Sequence, residues 1–154
     1  MIIYIIHKTS GLWLSGSSKH ILTYFAIRYA WDHLHYSPND KPLLDKDYIS
    51  ISHTGSIMAI AYHHQAIGID IEVPRPISSK LIKRLHLDPN SPLESWCLKE
   101  ALIKLMDDKT YLIKPIPSNL YHQGLKVDDC VGQVVSLFPL DQIEMIHLNE
   151  SDLI

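Results

Sequence analysis

The order of patterns along the chain predicts an α+β fold. An apolar segment with strand character opens it, one helical stretch follows, strand patterns run from Tyr48 to Val73, two further helical stretches come next, and strand-rich segments close it. At 154 residues the chain can bury a real core but is short for two independent domains. One compact unit is therefore expected.

Met1-Ile2-Ile3-Tyr4-Ile5-Ile6 is too short to span a membrane, lacks a basic leader and precedes no small-residue cleavage signal, so it reads as a strand. Gly11 and Gly16 interrupt regular structure, and Ser17 or Ser18 supplies a cap for a helix reaching about residue 35. Ile21, Leu22, Phe25, Ala26 and Tyr29 recur at helical spacing and form its inward face. The segment 37–42, with Pro38 and Pro42, reads as a loop.

Two or three strands are expected between Tyr48 and Val73, with a hairpin turn at His63-His64-Gln65, before Pro74 and Pro76 break the pattern. A short helix is expected over 79–87, with Leu81, Ile82 and Leu85 inward and Lys80, Lys83, Arg84 and Leu87 on or near another face. Pro89 stops it. Ser91 and Glu94 have the spacing of a capping box and Pro92 suits the first helical position, so a longer helix starts there. Beyond Asp108, strands are expected at 110–114 and about 130–148, separated by Pro115, Pro117, Asn119 and Gly124.

The apolar fraction of 46% with eight Tyr and three Trp excludes a disordered, solvated chain. A formal net charge of −3 provides no general attraction to nucleic acid. Arg75, Lys80, Lys83 and Arg84 nevertheless form a local basic cluster suited to an acidic partner. No apolar run approaches the length of a membrane span, so no membrane partner is expected. Cys97 and Cys130 suggest neither a disulfide framework nor a CxxC metal site, which favours a reducing, cytoplasmic location.

Three segments carry chemistry. Ile69-Asp70-Ile71-Glu72-Val73 places two carboxylates on one side of a strand and three aliphatic residues on the other. Taken alone this is first the pattern of a partly solvated edge strand, and a magnesium site that uses one or two carboxylates beside phosphate oxygens is the alternative. Glu100 and Lys104 share one face of the later helix, the spacing of a surface pair worth about 0.2–0.5 kcal/mol. Trp96 suits a core anchor, and Lys99 either helps place charge or is a solvated helix cation. Ser52-His53-Thr54 supplies two hydroxyls and an imidazole able to contact phosphate, or an ordinary satisfied turn, while Lys41 alone reads as a loop cation.

In order, Ser52-His53-Thr54, Gly68-Ile69-Asp70-Ile71-Glu72 and Trp96-Cys97-Leu98-Lys99-Glu100-Ala101-Leu102-Ile103-Lys104 resemble the surfactin-synthetase-activating type of 4′-phosphopantetheinyl transferase. With Lys41-Pro42 the resemblance extends over roughly residues 19–113. The shorter holo-carrier-protein synthase type usually lacks the second acid of Asp-Ile-Glu. Asp40 stands where the family's Gly-Lys-Pro segment has glycine, only 27 residues separate Glu72 from Glu100, and a phenylalanine-rich segment ending in an acid is missing.

The resemblance implies a 4′-phosphopantetheinyl transferase fold of two pseudo-symmetric halves, a reduced one over 1–66 and a larger one over 67–154, sharing a cleft. It implies that Asp70, Glu72 and Glu100 surround Mg2+, and that His53 and Lys104, with Ser52, Thr54 and Lys41, engage coenzyme A. Glu100, Lys104 and Asp70 would carry catalysis. The expected reaction transfers 4′-phosphopantetheine from coenzyme A to a serine of an apo acyl or peptidyl carrier protein, with the transferase a monomer. A noncatalytic homologue that binds carrier protein or coenzyme A is the alternative. A histidine-dependent metal hydrolase ranks behind it, because His63 and His64 are adjacent and expected to point differently.

Overall fold

A computed structural model describes residues 1–14 and 16–153 of the chain. The elements are β1 (Ile2–His7), α1 (Ser17–Arg28), β2 (His35–Tyr36), β3 (Pro42–Leu43), β4 (Tyr48–Thr54), β5 (Ile57–His63), β6 (Ile67–Glu72), α2 (Ser79–Leu85), α3 (Pro92–Met106), β7 (Tyr121–Val127), β8 (Cys130–Ser136) and β9 (Glu144–Asn149). This is a mixed α+β fold.

The unbroken apolar runs of β1 and β5 arise because both strands are covered on two faces. Ile3 and Ile5 with Ile57, Ala59 and Ala61 pack against Ile67, Ile69 and Ile71 of β6 and Leu125, Val127 and Val134 beyond it. The alternate residues Tyr4, Ile6, Met58 and Ile60 meet Leu22 and Phe25 of α1. A third cluster, Ala101, Leu102 and Leu105 with Val135, seats α3 on β8. The layers therefore run α1, the sheet β4-β5-β1-β9, the sheet β6-β8-β7, then α3. The chain passes from the first sheet to the second at residues 64–66, and β9 returns to lie parallel to β1.

The edges of the two sheets meet without a backbone ladder. Ser50, Ser52 and Thr54 of β4 recur at strand period and accept hydrogen bonds from the amides of Ile69 (3.1 Å), Ile71 (3.1 Å) and Val73 (3.2 Å). The N–H groups on the free edge of β6 are thus satisfied by hydroxyls, closing two edge strands that would otherwise be open to pairing.

Several expectations are corrected. α1 ends at Arg28, not near residue 35: Ala30 turns left-handed at φ 51°, and the Trp31 amide donates to the Ala26 carbonyl, while the Trp31 ring stacks on Tyr62 at 5.3 Å. Neither Ser17 nor Ser18 caps it, because Gly16 is the N-cap residue. His63-His64-Gln65 is a crossover and not a hairpin, since β6 pairs with β8; the hairpin lies earlier, at Gly55 (φ 55°), between β4 and β5.

α2 ends at Leu85, and the left-handed His86 swings Leu87 into the interior. The capping box at Ser91 does not form: Ser91 Oγ donates to Asp88 Oδ2 instead, and Asp88 N donates to Ser95 Oγ. Residues 109–112 form a 3₁₀ turn started by Asp108, which accepts from Thr110 N at 2.9 Å, so no strand occupies 110–114. Gly124 lies within β7, whose mostly exposed side chains hid it from pattern reading.

Candidate functional site

Gly68 decides how the site is built. A Cβ there would stand 2.0 Å from the Ala101 carbonyl oxygen, so only glycine lets α3 lie directly on β6. The face of β6 that carries Gly68, Asp70 and Glu72 then meets the face of α3 that carries Cys97, Glu100, Ala101 and Lys104.

Asp70 is 5% exposed. Its Oδ1 accepts from Ser52 Oγ at 3.1 Å and from Lys104 Nζ at 2.8 Å, whereas Oδ2 is buried without a partner among the described residues. Lys104 also donates to the Ile69 carbonyl at 3.0 Å. It therefore pairs across to the strand, and the expected Glu100–Lys104 surface pair is not the contact it makes. Burial first, then the Asp70 carboxylate, raises the Glu100 pKa, with Glu72 adding to the rise and Lys104 and Arg75 opposing it. Glu72 faces Arg75 at 3.6 Å, and that guanidinium lies 5.4 Å over the Trp96 ring.

A cavity of about 250 Å³ opens beside these acids. Its wall includes Lys41, Ser50, Glu100, Lys104, Asp107 and Lys109. One side is the 37–42 turn, clasped to the end of α3: Lys41 Nζ donates to the Leu105 carbonyl at 3.1 Å, and Asn39 Nδ2 lies 3.4 Å from Asp107. Burial lowers the Lys41 pKa, offset by Asp107. Asp40 adopts φ 62°, a left-handed conformation that glycine accepts most readily and aspartate tolerates, so the turn keeps a glycine-compatible shape without glycine.

The expected residues are brought together unequally. Lys41, Glu100 and Lys104 share the cavity, and Asp70 reaches it through Lys104. His53 is exposed on β4, its pKa lowered by desolvation and then by Lys104. Ser52 and Thr54 direct their hydroxyls at β6, where each already holds a strand amide. Lys99 is not a solvated cation: it is 3% exposed and donates to the Lys114 carbonyl, tethering the segment after α3. Trp96 is half-buried, and its indole N–H has no partner among the described residues.

Sequence reasoning missed Asp107, which continues the α3 stripe of Glu100, Ile103 and Lys104 into the cavity and was legible from that spacing. It also missed Cys97, whose thiol pKa is pushed up by burial, then by Asp70 and Glu72. Its Sγ lies 3.8 Å from the Val131 carbonyl.

The donor set fits a hard divalent cation in composition. One buried carboxylate oxygen lacks a partner, and Asp70, Glu72 and Glu100 together hold excess negative charge. Among the described residues, however, the sets of three ligand atoms lying within 4.8 Å of one another are His33-His35-Asp45 and His63-His64-Asp141, and not these three acids. Two of the three acids face cations of the chain itself, Asp70 meeting Lys104 at 2.8 Å and Glu72 meeting Arg75 at 3.6 Å. The second set corrects the expectation that His63 and His64 point apart: the strand ends at His63, and their ring centroids are 4.1 Å apart.

Among the described residues no helix is long and apolar enough to cross a membrane. No protein-family model matches the chain, and no curated protein matches it.

Proposed function

We propose that the chain transfers 4′-phosphopantetheine from coenzyme A to a serine of an apo carrier protein. The observation that carries this reading is Asp70 Oδ2, buried and without a partner among the described residues, behind Lys104, which with Glu100 lines a lysine-bearing cavity. It is supported by the order of the Ser52-His53-Thr54, Gly68–Glu72 and Trp96–Lys104 segments.

Lys41, Lys104 and Lys109 supply positive charge to the cavity and suit the phosphates of coenzyme A, with His53 close enough to Lys104 to feel its charge. Asp70, Glu72 and Glu100 would hold Mg2+, and the chemistry it would supply is polarisation of the pyrophosphate and partial neutralisation of its charge. The carrier serine oxygen bonds to the β-phosphorus, the bond from that phosphorus to the bridging oxygen breaks, and adenosine 3′,5′-bisphosphate leaves. Glu100 would orient the serine hydroxyl, or take its proton directly or through a water molecule. Lys104 stabilises the departing bisphosphate.

On the same reading, β4-β5-β1 with α1 and β6-β8-β7 with α3 are two related halves, each a sheet covered by one helix, joined at the hydroxyl seam of β4 and β6. The looser spacing of the three acids favours a second reading, a homologue that binds coenzyme A or carrier without chemistry.

One experiment separates the two. The purified chain is incubated with coenzyme A, magnesium and a panel of apo carrier proteins, and the carriers are weighed by mass spectrometry. Addition of a phosphopantetheine group, lost in Asp70→Asn and Glu100→Gln, supports transfer. Coenzyme A or carrier binding with no mass added supports the second reading, and neither binding nor addition rejects both.

A further inference from the structure

We propose that His63, His64 and Asp141 form a zinc site that fastens the segment before β9 to the end of β5. The three residues place one ligand atom each within 4.8 Å of one another. Zinc bonds of about 2 Å put tetrahedral ligands about 3.3 Å apart, so small side-chain rotations close the set and leave a fourth position for water. Two imidazoles and one carboxylate form a donor set that suits zinc and lies outside the preference of magnesium.

A second observation points to a ligand. The His63 side chain is 3% exposed and forms no hydrogen bond among the described residues; Asp141 Oδ2 stands 3.9 Å from its Nε2. Among the described residues its ring nitrogens are neither hydrogen-bonded nor sealed from solvent, so an ion can reach an imidazole whose orientation packing has fixed. The His33-His35-Asp45 set lacks this feature, because all three side chains are substantially exposed and His35 Nδ1 already lies 3.0 Å from the His33 carbonyl oxygen.

Architecture holds the carboxylate in place. Asp141 sits in the connection 137–143, whose Leu140 and Ile143 pack on the core on either side of it. His63 pairs with Tyr48 at the end of the hairpin opposite Gly55. The site therefore joins β9, the strand that returns to the first sheet from the second, to another strand of that sheet.

The test titrates chelator-treated protein with zinc chloride, in excess magnesium so that oxygen-rich sites are filled, and follows it by calorimetry and thermal melting. The expected result is saturable binding of zinc with a rise in Tm, both lost in His64→Ala/Asp141→Ala and both retained in His33→Ala/His35→Ala. The first variant replaces exposed residues only, and an unchanged zinc-free melt certifies its fold. Absence of saturable zinc binding overturns the proposal. So does binding that survives in His64→Ala/Asp141→Ala, or a single binding event lost only in His33→Ala/His35→Ala.

Discussion

Lys104 on α3 and Asp70 on β6 form a partly buried ion pair, with Nζ 2.8 Å from Oδ1, and the Asp70 side chain is only 7% exposed. Removing the ammonium leaves a buried carboxylate with the Ser52 hydroxyl as its remaining donor among the described residues. Lys104→Met should therefore lower unfolding free energy in urea by about 3 kcal/mol, the low end for a broken buried pair because Lys104 itself is 30% exposed. Magnesium should restore more stability to this variant than it adds to the parent chain, since a cation can then take both oxygens of Asp70. An unchanged urea midpoint would show that Asp70 is satisfied without Lys104.

Two glycines give a matched pair. A Cβ at Gly68 meets the Ala101 carbonyl oxygen at 2.0 Å and the Leu105 amide nitrogen at 2.9 Å, both backbone atoms that cannot rotate away. Gly68→Ala should destabilise by at least about 2 kcal/mol and move Glu100 and Lys104 away from Asp70. At Gly124 the nearest atom is a side-chain nitrogen of Gln133 at 3.6 Å, so Gly124→Ala should be tolerated. Equal urea midpoints for the two variants would refute the close contact of α3 with β6.

These contacts also mark what the sequence made legible. β1 and α3 were visible because their apolar patterns are strong, and the inward face of α1 was right at Leu22 and Phe25. The end of α1 was hidden because it depends on Trp31 stacking on Tyr62, a residue distant in sequence. β7 was hidden because only Leu125 and Val127 of its seven residues are buried. At the site, the acids and Lys104 stand out by type and spacing, whereas the hydroxyls of Ser52 and Thr54 suit a phosphate or a satisfied turn equally by type, and only the fold shows that each accepts from a strand amide. Their strand period, shared with Ser50, fits a seam between two sheets.

Glu100 should leave a pH signature. Its folded pKa is raised, so its contribution favours the folded state below the unfolded carboxylate pKa and is lost as pH rises through the folded value. At neutral pH the ionised form is therefore a burden on folding. Glu100→Gln should be more stable than the parent chain at neutral pH, and the gap should close near pH 4, about the unperturbed value. Paired urea titrations at the two pH values measure it; a gap that widens on acidification would reverse the assigned direction. A stabilised but inactive variant is the behaviour expected of a residue kept for function.

The exposed side chains of Lys80, Lys83 and Arg84 on α2 suit an acidic partner, which on the transfer reading is the carrier protein. α2 lies in the chain between Glu72 of β6 and the start of α3, the two elements that carry the acids. Arg75 is less available, because it faces Glu72 and stacks on Trp96. Replacing all three α2 cations with glutamine should slow carrier association more at low salt than at high salt, since added ions screen the attraction over about a Debye length. Coenzyme A binding should change little, because none of the three lines the cavity of Lys41 and Lys104. Stopped-flow association across a salt series gives the answer: a rate that keeps the parent chain's salt dependence would remove α2 as the main docking surface and leave Arg75 as the next cation to replace.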